Sequence, residues 1–450
     1  MENGYGDVVG PEIDYNEISP LKKTGKTNIY KKFLEVDELH LDQWRKPNVD
    51  FETMAVSATV DPGTFSRNSL VMPIVTSSVF ICHGSPTEPM NTLFYSSTNA
   101  FLRGFHYGRC GNPTRDHFES CMAQLDGAAH ALAFSSGVAG IAAVVQTLKQ
   151  GDHIVYIQCS NGDSDWLFRN KWKDFGIEVD FIYSNDSNAI LDAVRPNTKM
   201  VWLETPINPT LNVVDIEKIS GAVHSVANHV LVVVDNTFLT PVLQRPLDLG
   251  ADVVVYSCTK YLCGHADVIM GVVTTSKSDL YKKLQENQIC LGAIPSPWDC
   301  YLMIRSLKTL PIRMRQHFVN GQKIANFLEL HPCVEFVSHP GLNSHPQHAL
   351  AIKQQFGHSG MVTFLIRGDI REAATFINSL KTFKKAPSLG TDVSIASIPS
   401  KASHSWLPEE ERQKLKITDN MIRLSVGLEN SDHLIQDLDQ ALRQAVPIWI

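Results

Sequence analysis

The chain has 450 residues, 43% of them hydrophobic and 19% charged, an ordinary globular balance with room for roughly two to three domains and a sizeable core. Its net charge is −7 and its isoelectric point is near 6.2, so no overall field favours nucleic acid or an anionic membrane. No apolar run approaches the roughly 18 residues that a membrane span requires.

Residues 1–50 are polar and weakly periodic and read as a solvated arm, with a basic patch, LKKTGKTNIYKKF, at 21–33. Residues 51–112, rich in Ser, Thr, Pro and Asn, read as an extended segment. Regular alternation begins near 128. AHALAF predicts a buried strand, SSG a turn, and VAGIAAVVQTLKQ a helix with Ile141, Val144 or Val145 and Leu148 on one face. Strands follow over DHIVYIQ, VDFIY, KMVWLET, HVLVVVD and ADVVVYS, with helices over NAILDAV and after a capping Asp215, the latter placing Ile216, Ile219, Val223 and Val226 on one face. Strands apolar throughout, separated by amphipathic helices, indicate an α/β domain with a mainly parallel sheet covered on both sides, here assigned to 113–305.

A smaller α+β domain is expected over 306–450. The stretch CYLMIRSLKTLPIRMRQHFVNGQKIANFLELH reads as a long helix broken at Pro311, SGMVTFLI and NMIRLSV as strands, and DIREAATFINSLKTF and SDHLIQDLDQALRQAV as helices, the last capped by Ser431. The nine cysteines are scattered, odd in number and never in a C-x-x-C pair, which fits a reduced compartment; early acids (Glu2, Asp7, Glu12) argue against a mitochondrial transit peptide, leaving the cytoplasm as the expectation. HPQH at 345–348 has no companion ligand cluster, so no metal site is expected.

Ligands of open α/β sheets collect beyond the carboxyl ends of the strands, where Ser135–Ser136–Gly137, Asn208, Asp235 and the SCTK segment all fall. Each has a plain alternative: Asp235 can cap a loop, and SSG can be a simple strand-to-helix turn. Taken together they fit one ligand. A lysine at the end of a buried strand costs free energy unless it has a task. Lys260 can form an imine, Asp235 can hold a ring proton, and the N–H groups after SSG can take a phosphate, which are the needs of pyridoxal phosphate.

The segments YGRCGNPTR (107–115), FSSGVAGI (134–141), LETPINPT (203–210), VVDNTFLTP (233–241), YSCTKYLCGHADVIMG (256–271), SHPQH (344–348) and RLSVGLE (423–429) resemble, in order, the cysteine and methionine metabolism family of pyridoxal-phosphate enzymes. That family includes cystathionine lyases, cystathionine γ-synthase and methionine γ-lyase. The resemblance implies the family's fold, a large cofactor-binding α/β domain followed by the smaller C-terminal one. It implies Lys260 as the cofactor-bearing and proton-shuttling lysine, Asp235 at the ring nitrogen and Asn208 at the ring hydroxyl. Gly137 and Val138 would hold the phosphate through backbone N–H groups, together with the hydroxyls of Ser257 and Thr259. Tyr107 and Arg109 would reach the phosphate of a neighbouring subunit, so the segment 51–112 would complete the partner's site within a homodimer or homotetramer. Arg423 and Ser388 would bind the substrate's α-carboxylate.

Three departures bear on the reaction. Asn161 stands where the family has a tyrosine that stacks on the cofactor, and asparagine offers neither an aromatic face nor a titratable hydroxyl. Val393 stands where many γ-cleaving members have a glutamate, with Asp392 one residue displaced, and Cys263 replaces an asparagine. The leading expectation is a transsulfuration enzyme cleaving the C–S bond of cystathionine or a related sulfur amino acid. The alternatives are γ-replacement on an activated homoserine, and a catalytically weakened, cofactor-binding paralogue with a regulatory role.

Overall fold

The computed structural model describes residues 43–59, 69–81, 105–157, 162–184 and 186–447. The basic patch at 21–33 and Asn161 lie outside them.

A seven-stranded sheet forms the first layer system: β1 (His130–Phe134), β2 (His153–Ile157), β3 (Glu178–Ile182), β4 (Thr198–Glu204), β5 (Leu231–Asp235), β6 (Val253–Ser257) and β7 (Gly271–Thr275), in the order β1-β7-β6-β5-β4-β2-β3. The β2–β3, β2–β4, β4–β5 and β5–β6 pairs are parallel. β7 runs antiparallel to both β6 and β1. Its direction has a local cause: the connection 258–270 carries no crossover helix, and without one the chain reverses instead of returning parallel. The central strands are buried on both faces, Val233, Val234, Val253 and Val254 all fully, and emptying one such site to alanine costs about 2 kcal/mol.

The helices follow local rules. Ile216–Val226 is capped by Asp215, whose side chain accepts from Lys218 N at 3.0 Å, and it buries Ile216, Ile219 and Val223. Val226, expected on that face, is 62% exposed, because the helix ends there and the last turn swings away from the sheet. The expected Gly137–Val145 helix is shorter than its apolar text and stops before Leu148. Several helices went unassigned in the sequence reading, among them Phe51–Ser57, Pro113–Asp126 and Ser278–Leu291. The second is started by Asn112 accepting from Thr114 N and Arg115 N and stopped by Gly127 at φ 65°.

The second sheet holds β8 (Val334–Ser338), β9 (Met361–Ile366), β10 (Lys384–Lys385), β11 (Ile395–Ser397) and β12 (Met421–Ser425), in the order β10-β11-β12-β9-β8. The long helix over 300–331 is interrupted, but at Lys308–Thr309; Pro311 sits in the first turn of Leu310–Glu329, where its missing N–H leaves no helical carbonyl unpaired. The final helix, Ser431–Ala445, is capped by Asn430 in place of the expected Ser431: the Asn430 side chain accepts from Asp432 N and His433 N. Trp44, in the stretch expected to be a solvated arm, is buried edge-on to Phe318 with ring centroids 5.4 Å apart.

Candidate active site

A cavity of about 410 Å³ opens beyond the carboxyl ends of β1, β4, β5 and β6 and is closed from the other side by residues 387–389, Ser403 and Arg423. This is the volume range of cofactor sites. Of the residues expected in the site, Lys260, Asp235, Asn208, Gly137, Val138, Ser257, Thr259, Ser388 and Arg423 all line it. Tyr107 and Arg109 do not. Tyr107 is 46% exposed, its backbone pairing with Val79, and Arg109 donates to Ile289 O at 2.8 Å with its guanidinium 5.5 Å from the Tyr107 ring.

Lys260 sits in the turns that follow β6. Its N–H donates to Ser257 O and its carbonyl accepts from Gly264 N, and the side chain reaches back so that Nζ donates to Ser388 Oγ at 2.8 Å. Two features fix this turn. Gly390, at φ 72°, lies so close that a Cβ would stand 2.8 Å from Tyr261 N and 3.0 Å from Lys260 Cβ, so only glycine fits. Arg313, from the Leu310–Glu329 helix, donates to Tyr261 O (2.7 Å) and Leu262 O (3.2 Å) in the turn and to Ser306 O (3.0 Å) at the end of the preceding helix, tying the two together.

Asp235 ends β5 and is 5% exposed. Burial raises its pKa, opposed by Thr237, whose N–H donates to Oδ1 at 3.0 Å. Thr237 also fixes the neighbouring strand end, since its Oγ1 accepts from Ser257 N at 2.8 Å. No cation lies within ion-pair distance of Asp235 among the described residues. Thr259 is held by Met270, exchanging N–H and hydroxyl bonds at 3.1 to 3.3 Å. At the head of the Gly137–Val145 helix, Ser136 caps Ala139 N, which leaves the Gly137 and Val138 N–H groups at the cavity wall. A Cβ on Gly137 would stand 3.0 Å from Ser257 Cβ, so the glycine lets the helix end close on the β6 end.

Arg423 lies in mid-strand on β12, 2% exposed. Its NH1 donates to Asn208 Oδ1 at 2.8 Å, and its NH2 donates to Pro387 O at 2.9 Å and Ser388 O at 3.3 Å. Burial pushes its pKa down to about 10, still leaving it charged at neutral pH. All these partners are neutral, so the charge remains available to a ligand anion. The Asn208 loop is in turn clamped by the second sheet: Thr363 Oγ1 donates to Pro209 O and Ser338 Oγ to Thr210 O, both at 2.6 Å.

The sequence reading missed Thr237, Ser164 and Ser403, which also line the cavity. It quoted Glu204 within a motif but gave it no role, although that carboxyl, like Asp235, closes a buried strand. Of the departures, Val393 is 39% exposed, and Asp392 is engaged by Thr391 Oγ1 at 2.7 Å; neither lines the cavity. Cys263 is satisfied within its own turn, its thiol donating to Asp267 Oδ1 at 3.1 Å.

The family described as Cys/Met metabolism PLP-dependent enzyme matches residues 52–443. The chain belongs to this family. It is 44% identical over 399 residues to cystathionine gamma-lyase of Homo sapiens, covering 88% of this chain and 94% of that one. It is 43% identical over 401 residues to the putative cystathionine gamma-lyase 2 of Caenorhabditis elegans, covering 88% and 98%. The crystal structure of metB from Corynebacterium glutamicum superposes with a TM-score of 0.80 at 35% identity, covering 88% of this chain and 98% of that one. Pyridoxal phosphate is therefore the cofactor, and the cavity fits it. Asp235 is a buried carboxylate with no cation in ion-pair distance among the described residues, Lys260 presents an amine, and the Gly137 cradle would be filled by any larger residue. No helix among the described residues is long and apolar enough to cross a membrane.

Proposed function

We propose that this family member cleaves the C–S bond of cystathionine, or of a related sulfur amino acid, by γ- or β-elimination, giving a thiol, a keto acid and ammonia. One observation carries the reading: a single cavity is lined by the Lys260 amine, a buried anion, Asp235, and a buried cation, Arg423, neither in an ion pair among the described residues. The cystathionine gamma-lyases it is similar to over 88% of its length supply the substrate class.

When bound, pyridoxal phosphate supplies a carbonyl for amines and a protonated ring that withdraws electrons from the substrate's α-carbon. The rest is the work of the chain. Gly137 and Val138 N–H groups with Ser257 and Thr259 hydroxyls hold the phosphate, Asn208 reaches the ring hydroxyl, and Asp235 keeps the ring nitrogen protonated. Arg423 grips the substrate's α-carboxylate with its planar fork, helped by the backbone at Ser388. That grip aims the α C–H at Lys260 Nζ, which takes the proton as a neutral amine and returns it as the sulfur leaves. Ser388 Oγ, 2.8 Å from Nζ, holds the amine on the substrate side.

Tyr107 and Arg109 belong, in this reading, to the cavity of a second copy, which makes the dimer the smallest complete unit. Residues 51–112 are then the exchanged segment, 113–305 the cofactor domain and 306–450 the substrate-closing domain of a cytoplasmic enzyme. Purified protein given cystathionine decides the reaction: 2-oxobutyrate reports γ-cleavage and pyruvate β-cleavage. New cystathionine from an O-acylhomoserine plus cysteine overturns the lyase assignment in favour of replacement. Silence on every substrate, with cofactor bound, overturns the enzyme reading.

A further inference from the structure

Glu204 is a buried carboxyl beside the cavity for which the mechanism above has no use. It ends β4 directly opposite Asp235 at the end of β5, so in this parallel pair both side chains leave the sheet on the same face. It is 3% exposed, and it stands beside Asp235, outside the cavity lining. One carboxyl oxygen takes the Asn208 backbone N–H, while Oε2 is buried with no partner among the described residues.

Two adjacent buried carboxyls do not both ionise, because each charge raises the cost of the other in a poorly screened interior. The hydrogen bonds decide which keeps the proton. Asp235 is served by both the N–H and the hydroxyl of Thr237, which stabilise the anion. Glu204 has one donor and a bare oxygen, and it faces a second acid, Asp165, besides Asp235; Arg423 is the cation that offsets them. Burial and these two acids hold its pKa well above the ordinary glutamate value.

We propose that Glu204 is a positioning residue for Asp235: it stands beside it as a protonated carboxylic acid, so that the pair presents one negative charge to the cavity and holds a second in reserve. This rests on the assignment of Asp235 to the ring nitrogen. Neutral Glu204 keeps Asp235 the better anion without adding a charge that would compete for Arg423. Remove the Asp235 charge and Glu204 loses its repulsive neighbour, so it ionises and partly replaces it.

The test is a four-protein cycle read by the dissociation constant for pyridoxal phosphate, with melting curves to confirm folding. Glu204→Gln, which mimics the neutral acid, is expected to stay within about 3-fold of the parent, whereas Asp235→Asn weakens binding about 30-fold or more. The double variant is expected to bind at least about 10-fold more weakly than Asp235→Asn alone, the signature of a reserve that exists only when Asp235 is neutral. Asp235→Asn should also gain a pH dependence of cofactor binding, tighter at the alkaline end, as Glu204 loses its proton. Should the double variant fold poorly, a flat profile in the single Asp235→Asn protein overturns the inference by itself. So does equality of the double and Asp235→Asn, or a loss in Glu204→Gln as large as that in Asp235→Asn. Unweakened binding in Asp235→Asn would instead overturn the assignment of Asp235, a different failure and separately visible.

Discussion

The two sides of the cavity solve opposite electrostatic problems. On the large-sheet side, Asp235 is a buried anion at a strand end, supported by the N–H of Thr237. On the small-sheet side, Arg423 is a buried cation in the middle of a strand, supported by the oxygens of Asn208, Pro387 and Ser388. Each is hydrogen-bonded by neutral groups and forms no ion pair among the described residues. The site is charged in advance with both signs, which on the proposed assignment suits a ring cation on one side and a substrate anion on the other, with the Lys260 amine in the same cavity.

Breaking the centre should have the largest effect. Lys260→Ala is expected to lower kcat by about 1,000-fold or more, the scale of a lost general acid and base, measured as keto-acid release from cystathionine. Borohydride treatment should then leave no tag on the peptide spanning 256–271; a tag there would detach Lys260 from the chemistry. Breaking the cationic side alone comes next. Arg423→Met is expected to raise KM by about 100-fold, the cost of an unpaired carboxylate, while the cofactor's dissociation constant moves less than about 3-fold. Equal losses in substrate and cofactor binding would erase the division between the two sides.

The turn between them gives a smaller effect. Gly390→Ala forces a left-handed residue against the Lys260 backbone and should cost about 1–3 kcal/mol in denaturant midpoint, with a fall in kcat larger than any change in KM. A separate effect appears in acid. Burial pulls the imidazoles of His317 down to about 4 and His339 to about 3. Both sit below the unfolded value, so these groups bind protons only on unfolding. Stability is therefore full above about pH 6.5 and falls as pH drops toward about 4, by up to about 1.4 kcal/mol per unit for each. Urea midpoints at several pH values check this, and His339→Phe should flatten the slope.

The cofactor side was legible because it obeys a topological rule: Asp235, Ser257 and Gly137 stand at or just beyond the ends of apolar runs, where the alternation of the sequence breaks. Glu204 obeys the same rule but was passed over in the sequence reading, and only the β4–β5 register reveals what it faces. Arg423 drew attention as a charge inside an apolar strand, but its partners come from 208 and 387–388, which no local pattern connects. Thr237 and Ser403 carried no signal, since a threonine or serine in irregular text is common. The strand β7 was missed because its direction depends on the missing crossover, a property of the connection and not of its own residues. The cap of the last helix went to Asn430 because its side chain reaches two N–H groups at once, leaving Ser431 inside the helix.

Arg313 never meets a ligand, yet its guanidinium rivets the backbone beside the reactive amine to the first turn of the long helix that leads into the C-terminal half. Any tilt of that helix is therefore transmitted to the nucleophile without passing through the cavity. A transplant of this centre into another scaffold would need the rivet as much as the lysine, since otherwise the amine would sit on an untethered turn and lose its aim.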